Sequence, residues 1–149
     1  MAFKFRFEPL LKHRLFLVER AKAEFAAARQ KLVMWREQRI ALLDEREKQL
    51  EHIERRRSQG IAVTEFLTHC DYLAGLEQRL LTIDIELKNS EMEVERKKRE
   101  LLKTEMEARK LETLKDKDLD EYRVTRSRKE RNQLDQLAVI KEFRRSHET

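Results

Sequence analysis

The chain has 149 residues, of which 42% are charged, and it holds two glycines (Gly60, Gly75) and one proline (Pro9). A composition this rich in Ala, Glu, Lys, Leu and Arg belongs to long helices and excludes a compact globule built on one large core. The longest run free of Asp, Glu, Lys and Arg, Ser58 to Thr64, is too short for a membrane-spanning helix or a secretory signal. Cys70 is the single cysteine, so no intramolecular disulfide can form and a reducing compartment, the cytoplasm, is expected.

The net charge of +5 is unevenly spread. Residues 2–57 carry 15 Lys/Arg against 9 Asp/Glu (+6), residues 58–114 carry 9 against 12 (−3), and residues 115–149 carry 10 against 8 (+2). The first two segments are complementary in sign, as suits helices lying side by side. Exposed ion pairs of this kind favour correct pairing more than they add strength.

The chain opens on Phe3-Lys4-Phe5-Arg6-Phe7, an apolar/basic alternation that favours an extended segment. Its rings either cover the base of the bundle that follows or form a docking arm. Glu8-Pro9 then signals a helix start, with Pro suited to the opening turn and Glu to the positive end of the dipole. The first helix, expected over about residues 8–57, repeats a heptad set at Leu11, Val18, Phe25, Leu32, Arg39, Arg46 and Ile53. Between these positions the better apolar partner changes side. Leu15, Leu43 and Leu50 lie on one flank, and Ala21, Ala28, Trp35 and Leu42 on the other. The seam is therefore expected to drift in mid-helix, with a local register shift or a second apolar face near Val33, Met34 and Ile40.

Arg55-Arg56-Arg57 favours a helix C-terminus, and Gly60 supplies a residue able to take the left-handed cap conformation. The turn is expected over about residues 58–64 and the second helix over about residues 65–145. Its seam reads Phe66, His69, Leu73, Leu76, Leu80, Ile83, Leu87, Ser90, Val94, Lys97, Leu101, Thr104, Ala108 and Leu111. The same register continues in more polar form through Lys115, Asp118, Tyr122, Thr125, Lys129, Asn132, Gln136, Val139 and Phe143. A short connection between two long amphipathic helices predicts an all-α fold: a single elongated antiparallel coiled-coil hairpin over residues 1–149. One unbroken helix that dimerises is the competing arrangement, and Gly60 argues against it.

With the turn near Gly60, residue i faces roughly residue 121 − i. Leu11 then lies near residue 110, and the second helix is expected to overhang the first by roughly 30 residues, about 45 Å. An apolar stripe on an unpaired helix end, here Tyr122, Leu134, Leu137, Val139, Ile140 and Phe143, marks a binding surface.

No catalytic or metal constellation is visible. His13, His52, His69 and His147 are scattered, and the adjacent pair His69-Cys70 points about 100° apart on a helix. Two glycines build no phosphate-cradling loop. Neither an enzyme, a cofactor, a metal nor a small-molecule substrate is expected. The basic cluster Arg123, Arg126, Arg128, Lys129 and Arg131 faces only Glu130. A zipper-type DNA reader places such a region immediately before a well-formed dimer seam, whereas this one lies inside the overhang. An acidic protein partner suits it better than nucleic acid.

Phe3-x-Phe5-x-Phe7-x-x-Leu10-Leu11, the break at Gly60, Tyr72-Leu73-x-x-Leu76-Glu77 and the tail Leu111-Glu112…Lys115…Tyr122…Glu130-x-x-x-Leu134-Asp135 occur in one order and spacing. Together they resemble the FliJ family, the small coiled-coil component of the bacterial flagellar type III export apparatus, along essentially the whole chain. Leu134-Asp135-Gln136 stands where the family usually has Leu-Asp-Glu. The resemblance implies a cytoplasmic protein shaped like the central stalk of a rotary ATPase. Its terminal end would enter the hexameric flagellar export ATPase and promote assembly, and the chain would be held peripherally at the inner face of the cell membrane through the apparatus.

The resemblance also implies contacts with the cytoplasmic domain of the export gate protein and with flagellar export chaperones. Gln38, Leu42, Tyr72 and Leu76 correspond to the gate-contacting face, while Glu45 and Gln49 stand where aromatic residues are expected. Related injectisome stalk proteins share the shape. Tyr122, Arg123, Arg126, Arg128, Lys129, Arg131, Leu134, Leu137, Ile140 and Phe143 are the residues expected to engage the ATPase, with Phe3, Phe5 and Phe7 as a docking arm beside them. A stalk component is expected to be monomeric in isolation. A structural scaffold would be a stable dimer, and a nucleic-acid binder would lose affinity steeply with salt.

Overall fold

The computed structural model describes residues 2–148. It contains two helices, α1 (Glu8–Gln59) and α2 (Val63–His147), packed against each other as an antiparallel hairpin, with no strand among the described residues. The start of α1 is fixed by two backbone bonds, Glu8 N to Phe5 O (3.3 Å) and Leu11 N to Phe7 O (2.9 Å). Pro9 lacks an N–H in a first turn that has no use for one. At the other end Gly60 takes φ +84° and its N–H bonds the Arg57 carbonyl at 3.2 Å. A left-handed φ is what Gly alone adopts without steric cost.

The connection is only Gly60, Ile61 and Ala62, and the helices run further into the turn than the expected 58–64. Phe66 N bonds Ala62 O at 3.1 Å, so α2 needs no residue beyond Val63 to begin. The Arg56 guanidinium forks onto Glu65 across the turn, at 3.2 Å from each carboxylate oxygen. That contact holds the Glu65 carboxyl below its ordinary range and raises Arg56 above its own.

By their internal contacts the residues group into two units, 19–103 and 2–18 with 104–148. In the first unit the core is a stripe. Leu76, Leu80 and Ile83 are buried from α2, and Ala28, Leu32 and Ile53 from α1, with Leu76 only 1% exposed. Every α2 seam position from Phe66 to Leu101 is buried or half-buried.

On α1 the expected drift is confined to mid-helix, where Leu43 is half-buried beside Leu42; toward either end the seam keeps one register. The half-buried or buried positions continue in one register through Ala21, Ala28, Trp35, Leu42 and Gln49, while Leu50 remains 48% exposed. The polar residue wins because it is satisfied: Gln49 Nε2 lies 2.9 Å from His69 Nδ1. Two further polar residues on the α1 side are paired in the same way, Arg39 with Asp84 (2.7 Å) and Glu24 with Lys97 (3.1 Å). For the half-buried pairs Gln49–His69 and Glu24–Lys97, a polar group that finds a partner costs little and favours this alignment of the helices, whereas Arg39 and Asp84 are exposed and their pair adds little.

The Glu24–Lys97 pair gives the unit a pH dependence. The hydrogen bond and charge of Lys97 hold Glu24 below its ordinary value of 4.5, and the Glu24 hydrogen bond holds Lys97 above 10.5. Its stabilisation is fully present between those ordinary values. It is lost as pH falls through the depressed value of Glu24 or rises through the raised value of Lys97. The difference in Tm between the wild type and Glu24→Gln should therefore be constant from pH 4.5 to 10.5 and shrink below 4.5. A difference that persists far into acid would contradict this role for the pair.

In the second unit the first turns of α1 lie against α2 from residue 104 onward. Leu11 (4% exposed), Ala108 (3%) and Phe5 (7%) are its buried apolar side chains, with Val18 at its edge. Lys115 Nζ lies 3.0 Å from Glu8, and the rings of Phe3 and Tyr122 meet at 5.4 Å and 48°. The covered seam therefore extends to Tyr122, past the Leu111 limit expected from helix lengths alone. A non-helical chain can span about 3.3 Å per residue against 1.5 Å in a helix, so a short arm covers more than its own number of helical residues.

Candidate interaction surfaces

Three surfaces hold the residues singled out in the sequence. The first is the end of α2. From Arg123 to Glu148 every described residue is exposed, including Leu134 (66%), Leu137 (61%), Val139 (69%), Ile140 (50%) and Phe143 (63%). Residues 123–149 carry 8 Lys/Arg against 4 Asp/Glu, which is +4 of the chain's +5.

Arg126 is tied to Glu130 at 3.1 Å and Arg123 reaches Asp120 at 3.9 Å. Arg128, Lys129 and Arg131 form no ion pair among the described residues. This segment thus offers basic heads on its first turns and exposed aliphatic side chains on its last. Of the ten residues assigned to this surface, Tyr122 alone is set apart. It is half-buried beneath the arm, beside Phe3.

The second surface is the arm. Phe5 is buried and meets Phe7 edge-on at 5.9 Å, Phe3 is half-buried against Tyr122, and Phe7 is 36% exposed. Its position places the rings over the end of the hairpin, and only Phe7 shows a partly open face.

The third surface lies toward the turn. Gln38 is exposed, Leu42 half-buried and Tyr72 43% exposed, but Leu76 is the most buried side chain among the described residues. Leu76 is therefore a support for this face and presents nothing on it. The Tyr72 hydroxyl donates to the Glu45 carboxylate, and this bond, with desolvation, pushes the phenol up from its ordinary value. Gln49 likewise faces His69, whose ring sits edge-on to His52 at 5.3 Å. Glu45 and Gln49, which replace the expected aromatics, each hold a polar residue of α2 in place.

A groove of about 580 Å³ runs beside these residues, with Ala41, Leu42, Gly75 and Ile83 in its lining. The heptad pattern gives Gly75 no role. Its signal was the presence of a glycine in the middle of a strong helix-forming run. Among the described residues no cluster of three or more His, Cys, Asp or Glu could hold a metal, and no helix is long and apolar enough to cross a membrane.

Two long helices joined by a three-residue connection and zipped by a polar-punctuated heptad seam define an α-helical coiled-coil hairpin. The profile of the family described as Flagellar FliJ protein matches residues 3–147, and the chain belongs to that family. It is a coiled-coil protein of the flagellar type III export family. Among solved structures the fold is similar to that of CT670 from Chlamydia trachomatis, described as a YscO homolog, with a TM-score of 0.69. The match covers 99% of this chain and 100% of that one at 18% identity, a level that speaks to fold alone. No curated protein matches the sequence significantly.

Proposed function

We propose that the protein is a non-catalytic, cytoplasmic stalk of the flagellar export machinery that engages the hexameric export ATPase through residues 123–147. In this reading it contacts the cytoplasmic domain of the export gate through the face around Gln38, Leu42 and Tyr72. It also assists the delivery of substrates by export chaperones, and it associates with the membrane only through the apparatus. One observation carries the ATPase contact. Seam burial stops at Tyr122, yet exposed aliphatic side chains and unpaired basic heads continue for about another 37 Å of helix. Free apolar side chains at that density mark a surface covered by a partner, and the excess of Lys and Arg selects an acidic one.

The test is a truncation after Tyr122. A cut after Leu114 would remove Lys115 and Tyr122, the partners of Glu8 and Phe3, and so confound folding with binding. The chain ending at Tyr122 should keep its helical hairpin and thermal transition while losing stimulation of the purified ATPase. Undiminished stimulation would overturn the assignment. A structural scaffold is distinguished by light scattering, since it would be a dimer where a stalk is a monomer.

A further inference from the structure

Asp118, Leu119 and Tyr122 are half-buried, and from Arg123 onward every described residue of α2 is exposed. Glu8, the first residue of α1, already reaches Lys115 at 3.0 Å. No residue of α1 is left to cover α2 beyond that point. The cover over Leu119 and Tyr122 is therefore the non-helical arm, residues 2–7. The helix face beneath it does not stop where the arm does. At seven-residue spacing Leu119 is followed by Arg126, Gln133 and Ile140, and Tyr122 by Lys129, Gln136 and Phe143. Seven residues are close to two helical turns, so these side chains share one side of α2. The arm covers the near end of a face whose remainder is bare.

Its hold on that face is slight. No backbone hydrogen bond joins the arm to α2 among the described residues; the Phe5 and Phe7 carbonyls accept from Glu8 and Leu11 of α1. Lys4 and Arg6 are exposed and form no ion pair among the described residues, and Arg6 lies over Phe7 of the arm itself at 5.3 Å. The arm is held by its rings. Phe5, 7% exposed, is the anchor, and Phe3, half-buried, makes the contact with Tyr122 at 5.4 Å. An aromatic pair of this kind shifts an equilibrium by roughly two- to tenfold, which a partner can outbid.

We propose that the arm is a releasable strap, an autoinhibitory contact in which Phe3 competes with the ATPase for Tyr122. This inference rests on the ATPase contact proposed above. In the free chain the strap is closed and Tyr122 belongs to the hairpin. In the complex Phe3 leaves, and Leu119 and Tyr122 join Lys129, Ile140 and Phe143 on one continuous face. A partner that needs the open form binds more weakly in proportion to the fraction of molecules in which the strap is open. Loosening the strap should therefore strengthen binding, the reverse of what loss of a docking residue does.

The experiment measures by calorimetry the affinity of the full chain for the purified export ATPase, for the wild type, Phe3→Ala, Tyr122→Ala and the double variant. Phe3→Ala should tighten binding roughly two- to tenfold with little change in the thermal transition, because Phe3 lies outside both helices. Phe3→Leu, which loses the ring pair but keeps an apolar side chain, should give a smaller gain. Tyr122→Ala should weaken binding, and in its background Phe3→Ala should no longer change the affinity.

Wild-type binding that Phe3→Ala leaves unchanged overturns the strap and leaves the ATPase contact standing, with the arm a simple cap. Weaker binding by Phe3→Ala makes the arm part of the docking surface and also overturns the strap. A gain that persists in the Tyr122→Ala background overturns the competition for Tyr122. No binding by either the wild type or Phe3→Ala overturns the ATPase contact and the strap with it.

Discussion

Replacing Leu76 with Ala should lower the unfolding free energy by about 2–5 kcal/mol, the range for emptying a fully buried leucine site. Leu76 is 1% exposed, with Leu80 and Ile83 at the following seam positions. A two-helix core is one side chain thick, so the cost combines lost transfer free energy with a gap that only the facing helix can close. Leu81, the apolar neighbour of Leu80 on the outer face, is 59% exposed, and Leu81→Ala should change stability by less than about 0.5 kcal/mol. Urea unfolding followed by circular dichroism separates the two. Similar midpoints for both variants would show that the stripe does not carry the core. The same variant tests whether Leu76 supports the surface proposed to face the gate, since its loss should act on stability before it acts on binding.

Phe5→Ala is the second large effect, and it is local. Phe5 is 7% exposed and anchors an arm whose other fixed points are the Phe3–Tyr122 ring contact and, just inside α1, the Glu8–Lys115 ion pair. Removing a buried phenyl ring costs about 3–5 kcal/mol where the surroundings cannot collapse. An arm near a chain end can instead detach, so the loss should appear as opening of the region around residues 108–122 while residues 19–103 stay folded. Amide exchange in 108–122 should accelerate by roughly a hundredfold, with exchange in 66–101 unchanged. Phe7, 36% exposed, should give a much smaller effect when replaced. Equal protection of 108–122 in wild type and Phe5→Ala would mean that α2 is ordered there without the arm.

Much of the fold was legible because a heptad is a direct statement about which side chains are buried. The α2 seam from Phe66 to Ala108 and the cap at Gly60 could be read from spacing and backbone freedom alone. Where the sequence misled, chain geometry or polar pairing had intervened. Helix lengths alone put the limit of cover near Leu111, because they leave out the reach of a non-helical arm, which extends to Tyr122.

The α1 register is expected to drift because Leu15, Leu43 and Leu50 are apolar; Leu43 is half-buried, but Gln49 with its bond to His69 takes the inner position and leaves Leu50 outside. Leu76 carried two expectations that cannot both hold, a seam position and a presented contact, and its burial decides for the seam. The Gly75 groove was invisible because it depends on what both helices leave empty. A sequence lists side chains, not the spaces between them.

The proposed function depends on residues 123–147 being a helix covered only by a partner. The direct measurement is amide exchange on the full chain, alone and with the export ATPase. Alone, 123–147 should exchange far faster than 66–101, because a single solvated helix lacks tertiary support. With the ATPase, protection should rise across 123–147 and leave 66–101 unchanged. Protection that appears elsewhere, or none at all in 123–147, would contradict the central claim.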